Sequence, residues 1–266
     1  MRLQIRHETV YSLAQAATRS IQYLRLTPRV DRCQRTESWS IEGPERLHPW
    51  TDGYGNTVHV ASESAFHDGL TIRVSGVVTT RDTAGVLPLD DGLPPGMFLR
   101  ATPLTVASDA IAEFAAPFAA RRAAEGDIAA LHAMMAAQAD AIGFEAGHTT
   151  ASTPAAEAFA TGKGVCQDHA HIFIAACRVI GLPCRYVSGY LAFGCGDVAT
   201  HAWAETFIPD LGWVSFDPAN RQSATEAYVR LAVGPDYAAA APVIGVRTGG
   251  GGEEVSVAVQ IEQVQS

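Results

Sequence analysis

Along the first eighty residues apolar and polar side chains alternate in short runs. Leu3, Ile5 and His7 take every second position, Ile21, Tyr23 and Leu24-Arg25-Leu26 follow a short polar stretch, and Ser38–Ile41, Thr57–Val60 and Leu70–Val78 continue the pattern. A period of two is that of a half-buried strand. Gly43-Pro44, Asp52-Gly53, Gly55-Asn56 and Asp68-Gly69 punctuate these runs as turns. Residues 1–80 are therefore expected to form an antiparallel β-sandwich-like domain.

The pattern changes twice more. Residues 81–105 carry Pro88, Pro94, Pro95 and Pro103 with Gly85, Gly92 and Gly96, which reads as a linker or crossing segment. From 106 the chain turns alanine-rich with helical spacing: Ser108 or Asp109 caps a helix carrying Ile111 and Phe114, and Asp127 caps one carrying Ile128, Leu131, Met134, Met135 and Ile142. Pro117 and Gly126 interrupt this stretch, and a third helix runs from about Pro154 to Ala160. An apolar helix then starts near Cys166 and ends near Gly181-Leu182-Pro183. Strand-like runs follow at Arg185–Leu191, His201–Ile208, Trp213–Asp217, Tyr228–Val233 and Val255–Ile261, with Gly249–Gly252 as a hairpin tip. The fold class implied is α+β. Residues 106–266 are expected to be one catalytic domain in which a cysteine-bearing helix packs on an antiparallel sheet.

Composition narrows the class of function. The 266 residues are 47% hydrophobic and carry a formal charge of −9 with no basic block, which argues against nucleic acid or an anionic membrane as partner. No apolar run approaches the roughly 20 residues that span a bilayer, and the first eight alternate apolar and charged residues, so a cytoplasmic location is the expectation. Five cysteines (Cys33, Cys166, Cys177, Cys184, Cys195) make an odd set without the close pairs typical of structural zinc. A disulfide framework, a metal and a cofactor are all unexpected.

The chemistry concentrates between Gly162 and Asn220. Gly162-Lys163-Gly164-Val165-Cys166 places a thiol at a helix start, where free N–H groups and the positive dipole end favour thiolate and can stabilise an oxyanion. A lone cysteine there would more often be structural. His201 opens one strand and Asp217 closes the next, and pairing about Pro209–Gly212 sets them roughly level. Cys166, His201 and Asp217 thus have the types and order of a nucleophile, a base and its orienter. Gln167 is a candidate oxyanion contact through its amide. Trp203, two residues after His201, is a candidate substrate contact or a packing residue, whereas Asp168 and His171 suit structural hydrogen bonds.

Four blocks, Gly164-Val165-Cys166-Gln167-Asp168, Arg185-Tyr186-Val187-Ser188-Gly189-Tyr190, His201-Ala202-Trp203 and Gly212-Trp213-Val214-Ser215-Phe216-Asp217-Pro218, resemble the bacterial transglutaminase-like superfamily. Residues 1–80, with Arg25-Leu26-Thr27-Pro28 and the Gly55-Asn56 turn, resemble the β-domain that precedes the core in that group. The resemblance implies a papain-like core and a Cys166–His201–Asp217 triad. Departures are Asp217-Pro218-Ala219-Asn220 in place of Asp-Pro-Thr-Asn, Gly234-Pro235-Asp236-Tyr237 in place of Gly-Arg-Asp-Tyr, and His169 at a position that is often aromatic. The activity expected is that of a cysteine peptidase acting on a protein or peptide substrate. Acyl transfer to an amine and a non-catalytic binding module on the same fold are the alternatives.

Overall fold

A computed structural model describes residues 1–44, 47–87, 92–192 and 200–265. Its first strand, β1 (Arg2–Leu24), is 23 residues long and merges the two apolar runs that the sequence separates by a polar loop. Between them Ser12–Arg19 is mostly exposed, and register shifts at Ser12/Ala17 and Ala17/Arg19 bend the strand without ending it. Strands β2 (Gln34–Glu42), β3 (His48–Thr51), β4 (Thr57–Glu63) and β5 (His67–Thr80) complete the N-terminal part of a curled antiparallel sheet in the order β2-β5-β1-β4-β3.

Next along the chain come β6 (Val86–Leu87), a short 3-10 turn at Pro95–Leu99, and the helices α1 (Asp109–Glu125) and α2 (Asp127–Ala141). Ser108 caps α1 by accepting from the Ile111 N–H at 3.3 Å. Pro117 does not interrupt α1: it is exposed, so the carbonyl of Glu113 that it cannot bond faces water. Gly126, at φ 89°, provides the break between the helices. Strand β7 (Gly143–Phe144), α3 (Ala155–Thr161) and β8 (Lys163–Gly164) lead into α4 (Cys166–Val179). The chain then builds β9 (Cys184–Leu191), β10 (Thr200–Ile208), β11 (Gly212–Phe216), β12 (Tyr228–Gly234), α5 (Tyr237–Ala240), β13 (Val243–Gly249) and β14 (Glu253–Gln263). A five-stranded antiparallel sheet has the order β12-β9-β10-β11-β6.

Two cores result. Ile111, Leu131, Met134, Ile172, Phe173 and Ala176 of the helices pack with Tyr186, Ala204, Val214 and Phe216 of the second sheet. Leu3, Ile5, Leu24, Ile72 and Val78 of the first sheet pack with Tyr190, Val229 and Leu231 of the second. The fold is therefore mixed α/β with antiparallel sheets, as the residue pattern implies.

The last two strands differ from the sequence reading. β13 and β14 do not pair with each other as a hairpin: each pairs with β1, at Ala17–Leu24 and Leu3–Leu13 respectively. The glycines between them run beside the irregular middle of β1, where Ala14 N–H donates to Gly252 and Gln15 N–H to Gly250. Positive φ at Gly249, Gly250 and Gly251 permits that course. Residues 243–263, grouped in sequence with 106–266, thus belong to the sheet of the N-terminal strands.

Candidate active site

The thiol of Cys166 stands at the first residue of α4. Gly162 reaches it through a left-handed conformation at φ 69°, and Gly164 has no room for a Cβ because Asp168 Oδ2 would lie 2.7 Å from it. Asp168 uses that proximity: its Oδ2 accepts the Val165 N–H at 2.8 Å and the Thr149 hydroxyl at 2.6 Å, which fixes the first turn. His171, fully buried, accepts the Tyr237 N–H at Nε2, 3.0 Å. Burial holds its imidazole neutral, at about 4. Both side chains are structural, as the sequence favours.

His201 Nε2 donates to Asp217 Oδ2 at 2.6 Å, and the imidazole lines the same cleft as Cys166. The two strands place these groups diagonally rather than level. β10 and β11 pair Ala204 with Phe216, so Asp217 continues opposite Trp203 and reaches back to His201 on the same face. Burial works against charge on His201, yet the hydrogen bonds and charges of Asp217 and Cys166 outweigh it and raise the imidazole to about 10. Asp217 is itself fully buried; its burial favours the neutral acid, but His201, Tyr228 and Asn220 hold the carboxyl below its ordinary range.

The partners of Asp217 include two that sequence reasoning did not assign. The Tyr228 hydroxyl donates to Oδ2 at 2.6 Å and accepts from the Gln222 amide at 2.9 Å. The Asn220 amide donates to the same oxygen at 2.7 Å, and the Asn220 backbone N–H donates to Oδ1 at 3.2 Å. Asn220 stands in the Asp-Pro motif, which offered a signal. Tyr228 opens a strand eleven residues after Asp217 and offered none. Tyr228→Phe is expected to leave the buried carboxylate one donor short and to cost about 1.5–3 kcal/mol. Urea unfolding at neutral pH measures it, and a cost within error of zero would remove this hydroxyl from the network.

The His201–Asp217 pair also predicts how stability varies with pH. His201 is raised when folded, so its contribution is complete below 6.5 and is lost as pH climbs towards about 10. Asp217 is lowered, so its contribution is present above 3.8 and is lost on acidification through its folded pKa. The stability gap between the native protein and Asp217→Asn is therefore expected to be widest between about pH 4 and 6.5 and to narrow by pH 10. A gap of constant size across urea titrations at several pH values would refute the ion pair.

Trp203 does not reach the cleft. It is fully buried behind His201, its ring stacked on the imidazole with centroids 6.1 Å apart and edge-on to Tyr228 at 5.2 Å. Gly189 makes the space for it, since a Cβ there would meet Val229 O at 2.1 Å and the Trp203 ring at 2.7 Å. Gln167 lies on the cleft wall, but its amide donates to the Ala151 carbonyl at 3.1 Å. Cys33, Cys177 and Cys184 are free and buried, while Cys195 lies outside the described residues.

A cleft of about 350 Å³ opens onto this group. Cys166, His201, Tyr186 and Tyr237 line one side, and His7, Thr9 and Tyr11 of β1 with Val255 and Val257 of β14 line the other. Most of these first-sheet contacts are apolar or held neutral. His7 is bonded to Tyr190 and Thr9 and is lowered by burial to about 4. No helix among the described residues is long and apolar enough to cross a membrane.

Comparison with known proteins agrees with this architecture. Residues 114–218 match the model of the transglutaminase-like superfamily, and residues 3–79 match that of the bacterial transglutaminase-like N-terminal region. The uncharacterized protein ML0607 of Mycobacterium leprae is 29% identical over 287 aligned positions, covering 99% of both chains. The uncharacterized protein Rv2569c of Mycobacterium tuberculosis is 30% identical over 276, covering 92% of this chain and 87% of its own. A crystal structure described as "a Putative Cysteine Protease from Cytophaga hutchinsonii" superposes with a TM-score of 0.81 at 21% identity, covering 100% of this chain and 91% of that one. At that identity the likeness is one of fold.

Proposed function

Given that this chain belongs to the transglutaminase-like superfamily, with a bacterial transglutaminase-like N-terminal region ahead of the core, we propose that it is a cysteine-dependent amide hydrolase acting on peptide or isopeptide bonds. The observation that carries this reading is the 2.6 Å His201–Asp217 bond, with Cys166 at a helix start on the wall of the same cleft as the imidazole. In this reading the Cys166 proton passes to His201, the Sγ attacks the carbonyl carbon, and the oxyanion forms against the first N–H groups of α4. His201 then gives its proton to the leaving amine, and a thioester remains on Cys166. Water, deprotonated by His201, attacks the thioester and releases the acid. Asp217 keeps the imidazole oriented and stabilises it in the steps where it carries the proton.

Alkylation tests the pairing of thiol and imidazole. Iodoacetamide near neutral pH is expected to modify Cys166 before Cys33, Cys177 and Cys184, and His201→Ala is expected to slow modification of Cys166 at least tenfold, taking the scale from general-base contributions of ~10²–10⁴. Equal rates with and without the imidazole would exclude the proposed activation. Membership of the superfamily also supports transfer of the acyl group to an amine. Products of a glutamine peptide, compared by mass with and without a primary amine, separate transfer from hydrolysis.

A further inference from the structure

Among the described residues, strand β14 pairs with β1 on one side only. Hydrogen bonds at the two ends of the ladder reveal which way its backbone faces. Ala14 N–H donates to Gly252 and Val264 N–H donates to Arg2. Both pairs continue the unbroken register in which Leu3 meets Gln263 and Leu13 meets Glu253, so the even-numbered residues of β14 bond to β1. The odd-numbered residues, Val255, Val257, Val259 and Ile261, therefore turn their N–H and C=O groups to the free edge. Their side chains share one face, and Val255 and Val257, 46% and 51% exposed, form part of the wall of the cleft that holds Cys166.

Soluble proteins usually protect such an edge with lysine, proline or a bulge. Here Val255–Ile261 is a seven-residue run with no charge, no proline and no register shift, bounded by Glu253-Glu254 and Glu262. We infer that β14 is the docking edge for the substrate, which binds as an extended polypeptide adding a strand beside residues 255–261 and so leads its chain into the cleft. The inference rests on the proposed amide-cleaving activity and specifies its substrate class as unfolded or extended polypeptide. Main-chain pairing supplies affinity that tolerates many sequences, and Val255 and Val257 favour apolar side chains near the attacked bond. Continuity of the edge with the cleft wall selects a substrate chain as the occupant over a second copy.

Amide hydrogen exchange on the Cys166→Ala protein, with and without fluorescein-labelled casein as the unfolded polypeptide, tests this directly. Casein is expected to slow exchange of the odd-numbered amides from 255 to 261 at least tenfold, while the even-numbered amides, already bonded to β1, change little. In the same background Val259→Pro removes one outward N–H and no ladder bond, as an edge strand tolerates. It is expected to weaken casein binding at least tenfold by fluorescence anisotropy, whereas Val259→Ala, which keeps the N–H, changes it less than threefold. No casein-dependent protection in 253–263, or equal affinities for the two Val259 variants, would overturn the inference. Protection that grows with protein concentration in the absence of casein would also overturn it, by identifying a second copy as the occupant. Separately, the native protein is assayed on p-nitrophenyl acetate: protection of the edge by casein, with no Cys166-dependent ester hydrolysis, would support docking and refute the proposed activity.

Discussion

Cys166→Ala is expected to lose amide or ester hydrolysis by about 10⁴-fold or more while keeping the native fold. Among the described residues no other thiol can stand in: Cys33, Cys177 and Cys184 are buried, and the substitution leaves a methyl where the cleft thiol was. The helix that carries the thiol does not depend on it. Its first turn is held by Asp168 on the Val165 N–H and its body by Ile172, Phe173 and Ala176 in the helical core. Unfolding free energies of the two proteins should therefore agree within about 1 kcal/mol, the range of a modest surface or boundary change. Residual hydrolysis at more than a tenth of the native rate in the folded variant would remove Cys166 from the mechanism.

The second large effect is on stability, at Glu205. Its carboxylate is fully buried and accepts from Arg185 Nε at 2.8 Å and from Arg230 at 2.7 and 3.0 Å. Arg230 bonds in turn to Asp31 at 2.5 Å, and the Arg185 guanidinium lies 3.8 Å from the centre of the Trp213 ring. Burial disfavours charge on Glu205, but the two arginines overcome this and hold its acid below the ordinary range. Glu205 thus bridges two buried arginines, and Glu205→Ala would remove the carboxylate that both share. The expected loss is about 3–5 kcal/mol. Because Asp31 belongs to the segment after β1 and Arg230 to β12, the same change should loosen the contact between the first sheet and the second. Urea unfolding monitored at Trp213 and by total β signal checks both, and a loss under 1 kcal/mol would show that the charges find other partners. With Glu205 lowered in the folded protein, its contribution is present above 4.5 and fades as pH falls through the folded pKa.

Local rules explain why so much of the core was legible. Ser108, Gly126 and Gly162 act through their own backbones and nearest neighbours, so helix limits follow from residue type. Strands β9 to β12 are short apolar runs between turns, and a thiol placed by two glycines at a helix start needs no distant partner to be noticed. The long-range outcome was less accessible. The polar middle of β1 looks like a loop because nothing local says that it remains extended along its neighbours. The glycine run at 249–252 looks like a hairpin tip because its true partner, Ala14–Ala17, lies more than 230 residues away.

By itself the sequence determined the order of elements, the identity of Cys166, His201 and Asp217 as candidates and the family to which the chain belongs. Each depends on residue type and short spacing, which a linear chain records. Only the tertiary structure decided that Asp217 meets His201 on the diagonal, that Tyr228 and Asn220 complete its hydrogen bonds, and that Trp203 is buried against the imidazole. It alone brought β1 and β14 together to make one wall of the cleft. These outcomes follow from strand register and from which faces bury each other. Shifting a strand by one residue exchanges its faces without altering a letter of the sequence, so such contacts are fixed only when the sheets close on their shared core.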